Sequence, residues 1–348
     1  MKPFTAATNW DLLRKLCETP GLPGREAAVR EVVDQAVRPL VDGVRTDRIG
    51  NLIAHRAGPE PAVAFVAHMD EVGGLVTGIE ECEGQGYVRF RTIGGIEPQN
   101  LVGQRMAIHG RSGALPAVVG SRPDSVVKPE ALGRIQPTES LFIDPCLSIE
   151  DATARISPGD GVTFDQRLVL REQMIRGKAL DDRLGLFVSI EALRRTYGAS
   201  RALFFVASVQ EEAGICGAPA AARHVPAQAA ISLDITPARD YPNVAAQDVM
   251  TRWGGGVSIG VADGRTLSDR SLVAELVALA ERHRVPHQMR APGGGGTDAS
   301  GFQLAQEGMR AANLLFPTRY GHTAIETAHR RDIEAAIDLL ALWIEKAS

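Results

Sequence analysis

Long apolar runs are missing from this chain. No stretch in its 348 residues approaches the roughly 20 that a bilayer-crossing helix needs, which argues against a membrane partner. A basic excess is missing too: 38 Lys and Arg stand against 42 Asp and Glu, a net charge of −4. No basic run is present to grip phosphates, so a nucleic-acid partner is not expected. Cysteine is sparse, with Cys17, Cys82, Cys146 and Cys216 far apart and no CxxC pair. They are expected to be reduced, mostly buried thiols of a cytoplasmic protein. Met1 to Cys17 lacks the apolar segment of a secretion signal. What remains is ordinary globular composition, 44% hydrophobic and 23% charged, and a length that suggests about two domains.

Hydrophobic spacing predicts helices over Trp10–Glu18 and Glu26–Val41, then a short buried strand over Ala62–Ala67 that runs into His68-Met69-Asp70-Glu71. From Gly73 to Phe164 the pattern changes to short alternating pieces between Gly-rich turns, with no long helical period. Strand and helix then alternate again. Strands are expected at Ala202–Val209, Ala229–Ile235 and Met309–Phe316, and helices at Leu184–Thr196, Ser271–Arg284 and Arg331–Lys346. The expectation is an α/β fold in which residues 1–72 and 165–348 form one domain and residues 73–164 an inserted β domain.

In an open α/β sheet, ligands bind beyond the carboxyl ends of the strands. Those positions carry His68, Asp70, Glu211, Glu212, Asp234 and His322, and Asp181 precedes a helix. Taken singly, each has a commoner structural role, such as a capped helix start or a solvated acidic pair. Together they form an N/O ligand set suited to hard divalent metals with a hydrolytic task. Two ions need a shared carboxylate and two more ligands each. Asp181 fits the bridge, His68 and Asp234 one site, and Glu212 and His322 the other. Glu211, beside a ligand, suits a general base. Asp70, two residues after His68, suits the group that accepts the other imidazole N–H and fixes the tautomer. The run Gly293–Gly296 reads equally as an anion cradle or a plain turn.

Several segments occur in one order along the chain: Gly50-Asn51-Leu52-Ile53-Ala54, Ala67-His68-Met69-Asp70-Glu71, Gly94-Gly95-Ile96, Lys178-Ala179-Leu180-Asp181-Asp182-Arg183, Val209-Gln210-Glu211-Glu212-Ala213-Gly214, Gly296-Thr297-Asp298-Ala299 and Arg319-Tyr320-Gly321-His322. Here the chain resembles the tetrahedral dinuclear metallo-aminopeptidases, a group of glutamyl, leucyl and lysyl enzymes with some members named as cellulases or endoglucanases. The resemblance implies a mixed-sheet zinc-aminopeptidase-like catalytic domain interrupted by a PDZ-like β-barrel that dimerises, and dimers that assemble into a dodecamer. It implies two divalent ions per subunit, zinc, cobalt or manganese, on His68, Asp181, Glu212, Asp234 and His322, with Glu211 as catalytic glutamate and a cis bond between Asp181 and Asp182. The implied activity is removal of N-terminal residues from short peptides with a free amine. A deacylase of N-acyl amino acids is the alternative that the same ligands would serve. The chain departs from the family pattern at His322-Thr323-Ala324, at Phe142–Leu147 and at Arg122-Pro123-Asp124-Ser125. None of these departures removes a ligand.

Overall fold

A computed structural model describes residues 7–123, 134–198, 201–290 and 293–346. Asp124 and Ser125, part of one departure from the family pattern, lie outside the described residues. The chain opens with helices α1 (Trp10–Glu18) and α2 (Ala27–Val37) and strands β1 (Gly43–Thr46), β2 (Leu52–Arg56) and β3 (Val63–His68). Six strands then follow: β4 (Gly73–Cys82), β5 (Gln85–Ile93), β6 (Arg105–Gly110), β7 (Gly113–Gly120), β8 (Phe142–Asp144) and β9 (Gly161–Phe164), with helix α3 (Ile149–Arg155) before the last. The remainder holds β10 (Val169–Leu170), β11 (Met174–Gly177), α4 (Leu180–Arg195), β12 (Leu203–Ser208), α5 (Gly217–Ala222), β13 (Ala229–Pro237), β14 (Val257–Gly260), α6 (Arg270–His283), β15 (His287–Arg290), α7 (Ala299–Gln303), β16 (Arg310–Arg319), β17 (Glu326–His329) and α8 (Arg330–Glu345).

Two sheets organise these elements. The larger runs β1-β2-β12-β3-β13-β16-β17-β11-β10, with β14 beside β16 and β15 beside β14. Its centre, β12-β3-β13-β16, is parallel and its flanks are antiparallel. Every residue of β3 is buried, which explains its unbroken apolar run: a central parallel strand is covered on both faces. Val63, Phe65 and Ala67 join a core shared with α1, α2, α4, α6 and α8. Ala64 and Val66 face the opposite way, into a core shared with α5 and α7.

Strands β4 to β9 close into a separate barrel, in the order β4-β5-β8-β7-β6-β9. Its interior is apolar, with Val88, Ile108, Ile143 and Val162 fully buried. Within this β unit the short helix α3 was not foreseen. Ser148 caps it by accepting from the Asp151 N–H at 3.1 Å, but seven residues are too few to set up a readable helical period. The cysteines also correct an expectation. Cys17 is buried, whereas Cys82, Cys146 and Cys216 are exposed, because Cys82 lies at the outer end of β4, Cys146 in the loop after β8 and Cys216 just before α5.

Candidate metal centre and active-site cleft

The parallel strands bring the candidate residues to one edge. Ser208, the last residue of β12, pairs with His68, the last of β3. Glu211 and Glu212 follow β12 in a turn, Asp234 lies on β13, and His322 lies in the loop after β16. Asp181 and Asp182 sit at the start of α4 with non-helical dihedrals, and the bond between them is cis. Ala179, Gln210, Tyr320 and His322 take left-handed backbone, with φ of 55°, 56°, 62° and 59°. Such non-glycine positions are sparsely populated and gather at functional sites.

Buried hydrogen bonds hold this edge together. Lys178 Nζ lies 2.6 Å and 2.8 Å from the two carboxylate oxygens of Glu71, and Arg183 Nε donates to the Met69 carbonyl at 2.8 Å. The start of α4 is thereby tied to the tail of β3. Asp182 accepts from the His68 N–H at 3.3 Å and from the Gly185 N–H at 3.0 Å, so it caps the helix and steadies the end of the strand.

Asp181 is the hinge of the constellation. His68 Nε2 stands 3.1 Å from its Oδ1, and His322 Nε2 stands 3.2 Å from its Oδ2. Donor atoms of His68, Asp181 and Asp234 lie within 4.8 Å of one another, as do those of Asp181, Glu212 and His322. The opposite ring nitrogens, both Nδ1, face backbone carbonyls, Asp70 O and Gly95 O, each at 3.2 Å. A carbonyl only accepts, so each Nδ1 carries a proton and each Nε2 is turned toward the same carboxylate. Each such contact calls for positive charge between the two atoms, a proton in the metal-free site or a metal ion on the Nε2 lone pair of a neutral ring. Ligands about 2.1 Å from a tetrahedral ion stand about 3.4 Å apart, close to the 3.1, 3.2 and 3.4 Å between these donors. Glu212 Oε1 is buried and makes no hydrogen bond. The residues present therefore fit two divalent ions that share Asp181.

Electrostatics agree. Burial pushes Glu211 up to about 9 and Glu212 to about 7, with help from neighbouring carboxylates. Burial likewise holds Asp234 well above the usual carboxylate range. Burial works against His322, but hydrogen bonding to Asp181 and nearby acids hold it up at about 10. A site that retains protons this strongly in the absence of metal is built for positive charge.

Asp70 does more than steady the His68 ring. The nearest acceptor to His68 Nδ1 is the Asp70 backbone carbonyl at 3.2 Å, with the carboxylate at 3.5 Å. The carboxylate instead accepts from the N–H groups of Glu211 at 3.0 Å and Glu212 at 2.9 Å. β3 ends at His68, so the alternation that would aim both side chains alike stops before Asp70.

Sequence reasoning passed over Glu326. It is 1% exposed and accepts from the Asp181 N–H at 3.0 Å and the His322 N–H at 2.8 Å. It opens β17 opposite Gly177, and no motif around it gives a signal. Asp298, pushed by burial to about 6, accepts from Ser208 Oγ. The pair Gly94-Gly95 is explained by contact. A Cβ on Gly94 would stand 2.4 Å from Val72 Cγ1 and 3.1 Å from Glu212 Oε2, and one on Gly95 would stand 3.1 Å from His322 Nδ1. The loop leaving the barrel strands thus passes directly over the site.

The constellation opens on a cleft of about 980 Å³, lined in part by Tyr320, Met250, Arg290 and the Gly294–Thr297 segment. Arg319 turns away from it to Asp240, at 2.9 Å, and lies over the Trp253 ring.

A family model described as M42 glutamyl aminopeptidase matches residues 50–339. The lysyl aminopeptidase of Pyrococcus furiosus is 31% identical, over 97% of this chain and 97% of its own. Among solved structures, an aminopeptidase from the archaeon Desulfurococcus kamchatkensis is 32% identical, with TM-score 0.91, over 97% of this chain and 94% of that one. The TET1 peptidase of Pyrococcus horikoshii, described as assembling into a tetrahedron or a large octahedral shell, is 30% identical, with TM-score 0.86, over 97% and 99%. With the matched region running from β2 to α8, the chain belongs to the M42 glutamyl aminopeptidase family and is a metal-dependent aminopeptidase.

Proposed function

We propose that His68, Asp181 and Asp234 hold one divalent ion and Asp181, Glu212 and His322 a second, with Glu211 as the general base of an aminopeptidase. The observation that carries this is the Asp181 carboxylate standing between two imidazole Nε2 atoms at 3.1 Å and 3.2 Å. When bound, the ions supply Lewis acidity and an acidified water. Zinc, cobalt and manganese all suit this nitrogen and carboxylate donor set.

The chain's own groups do the rest. Glu211, beside a ligand and held by Asp70 through its backbone, accepts a proton from the attacking water and delivers it to the departing amine nitrogen. Burial and the negative charge of buried Asp298 raise its pKa, which favours the protonated carboxyl between those two transfers. The excess of carboxylates gives a free α-ammonium an electrostatic partner that an acylated amine lacks, and this favours the aminopeptidase over the deacylase. We extend the relatives' assembly to this chain: residues 73–164 form an inserted dimerisation domain, residues 1–72 and 165–348 the catalytic domain, and dimers build a tetrahedral dodecamer in the cytoplasm. Among the described residues no helix is long and apolar enough to cross a membrane.

The test is hydrolysis of leucyl-p-nitroanilide beside N-acetyl-leucyl-p-nitroanilide by metal-stripped protein titrated with zinc, cobalt or manganese. Cleavage of the free-amine substrate alone, saturating at two ions per chain, is expected. Equal cleavage of the acetylated compound, or activity in the stripped protein, would overturn the assignment. Sedimentation at about twelve times the chain mass of 37.2 kDa checks the assembly.

A further inference from the structure

The two ions of the proposed centre do not stand on equal footing. The ligands particular to the first belong to the sheet. His68 is the last residue of β3, paired with Ser208, and Asp234 lies within β13, paired with Leu315. The ligands particular to the second stand in connecting segments. Glu212 follows β12 in a turn whose N–H groups Asp70 holds. His322 follows β16, with its side chain 34% exposed against 2% for His68.

The His322 loop is also the more strained. It runs through Tyr320 and His322, both left-handed, with Gly321 between them. L residues hold that conformation only where the surroundings enforce it. Three hydrogen bonds do so here. Thr323 Oγ1 donates to the Tyr320 carbonyl at 2.7 Å, and the Gly95 carbonyl faces His322 Nδ1, both in exposed positions. The third reaches into the interior, from the His322 N–H to Glu326 Oε1 at 2.8 Å.

Glu326 is a fixed anchor. All four residues of β17 are buried, and all four pair with β11. Its other oxygen, Oε2, accepts from the Asp181 N–H at the start of α4, where no preceding turn supplies a carbonyl. One carboxylate thus divides its two oxygens between the bridging ligand and the loop ligand. Asp181 has further support, because Lys178 and Arg183 tie the start of α4 to the tail of β3. His322 has no such second tie to the core among the described residues.

We propose that Glu326 is a positioning residue for the second ion: it sets the separation of Asp181 and His322, and its loss weakens the ion held by Asp181, Glu212 and His322 while sparing the ion held by His68, Asp181 and Asp234. An amide in its place keeps one acceptor oxygen and turns an NH₂ group toward the other N–H, so one of the two ties is lost.

This rests on the two-ion reading, so the wild-type chain is tested first. Metal-stripped protein is titrated with cobalt(II), followed by calorimetry and by visible absorption, and His322→Ala identifies the uptake step of the second site. A wild-type chain that takes up a single ion, or a His322→Ala chain that keeps both steps, would sink the two-ion reading itself before Glu326 is touched. Glu326→Gln is expected to weaken the second step about 10–100-fold, the usual loss when a group that orients metal ligands is removed. The first step and the absorption at one equivalent of cobalt should stay as in the wild type. Glu326→Asp, which keeps the carboxylate on a shorter arm, carries the same comparison if the glutamine variant does not fold. Asp332→Asn is the control, since Asp332 is equally buried and accepts from the Gly254 and Gly256 N–H groups at 2.8 Å and 2.6 Å, neither of them a ligand. It should leave both steps in place. Equal weakening of both steps by the Glu326 change, or weakening that Asp332→Asn matches, would make Glu326 a brace of the fold and overturn the proposal. Unchanged uptake of both ions would overturn it as well.

Discussion

Asp70 holds Glu211 through the backbone: its Oδ1 accepts from the Glu211 N–H at 3.0 Å, while Oδ2 takes the next N–H, that of Glu212, at 2.9 Å. One carboxylate thereby sets the turn that presents both the proposed ligand Glu212 and the proposed base Glu211. Asp70→Asn leaves a single acceptor oxygen for two donors and turns an NH₂ group toward one of them. The expected result is a fall in kcat of about 10–100-fold, the usual loss when a group that orients catalytic ligands is removed. Two bound ions by atomic absorption and a smaller change in KM should accompany it. Full kcat in this variant would show that the turn holds its shape without Asp70.

Glu211→Gln keeps the shape of the side chain and removes its ability to take a proton. A fall in kcat of about 10²–10⁴-fold is expected, the range for loss of a general base. Metal uptake should persist, because the five proposed ligands are untouched. A Glu211→Gln enzyme with wild-type kcat would remove Glu211 from the mechanism.

The sequence made β3 legible because a strand covered on both faces must be apolar throughout, and the His68 that follows it stands out against that run. Glu212, Asp234 and His322 were legible for a related reason: polar residues at the ends of apolar strands of one sheet converge at its carboxyl edge, and Asp181 stood out only as an acid before a helix. Glu326 was not legible. It acts through two backbone N–H groups, of Asp181 and His322, and a contact to backbone leaves no trace in the identity of its partners. Asp70 was half legible. Its nearness to His68 was correct, but the direction of its carboxylate depends on where β3 stops.

Stripping the metals should make stability depend on pH in one direction. In the metal-free fold Glu211, Glu212 and Glu326 hold their protons up to about 9, 7 and 8, against an ordinary value of 4.5. His322 holds its proton to about 10, against 6.5. The folded chain therefore binds more protons than the unfolded chain, and stability falls as pH rises. Asp181, shifted down from 3.8, has the opposite sign but acts only in strong acid. Melting temperature of the stripped protein should decline from about pH 4.5 to 10, the span between these ordinary and raised values. Bound ions should remove most of that slope and each add about 4 kcal/mol at a thousandfold excess over its Kd. A flat profile in the stripped protein would contradict the charge arrangement.

Thiol labelling should separate the four cysteines by burial. Cys17 lies on α1 with its thiol pushed up to about 12, because burial outweighs the nearby charges of Arg183 and Lys178. At pH 8 its thiolate fraction is then about one in ten thousand, and the thiolate is the reactive form. Cys216, two residues beyond the Glu212-Ala213-Gly214 turn that borders the cleft, is exposed, as are Cys82 and Cys146 on the β4–β9 unit. An aromatic disulfide reagent at pH 8 should therefore label Cys216 quickly and reach Cys17 only after unfolding. If the barrel dimerises, Cys82 or Cys146 should react more slowly in the assembled enzyme than in dissociated subunits. Rapid labelling of Cys17 in the native protein would mean that α1 leaves the sheet far more readily than its packing against α4 allows.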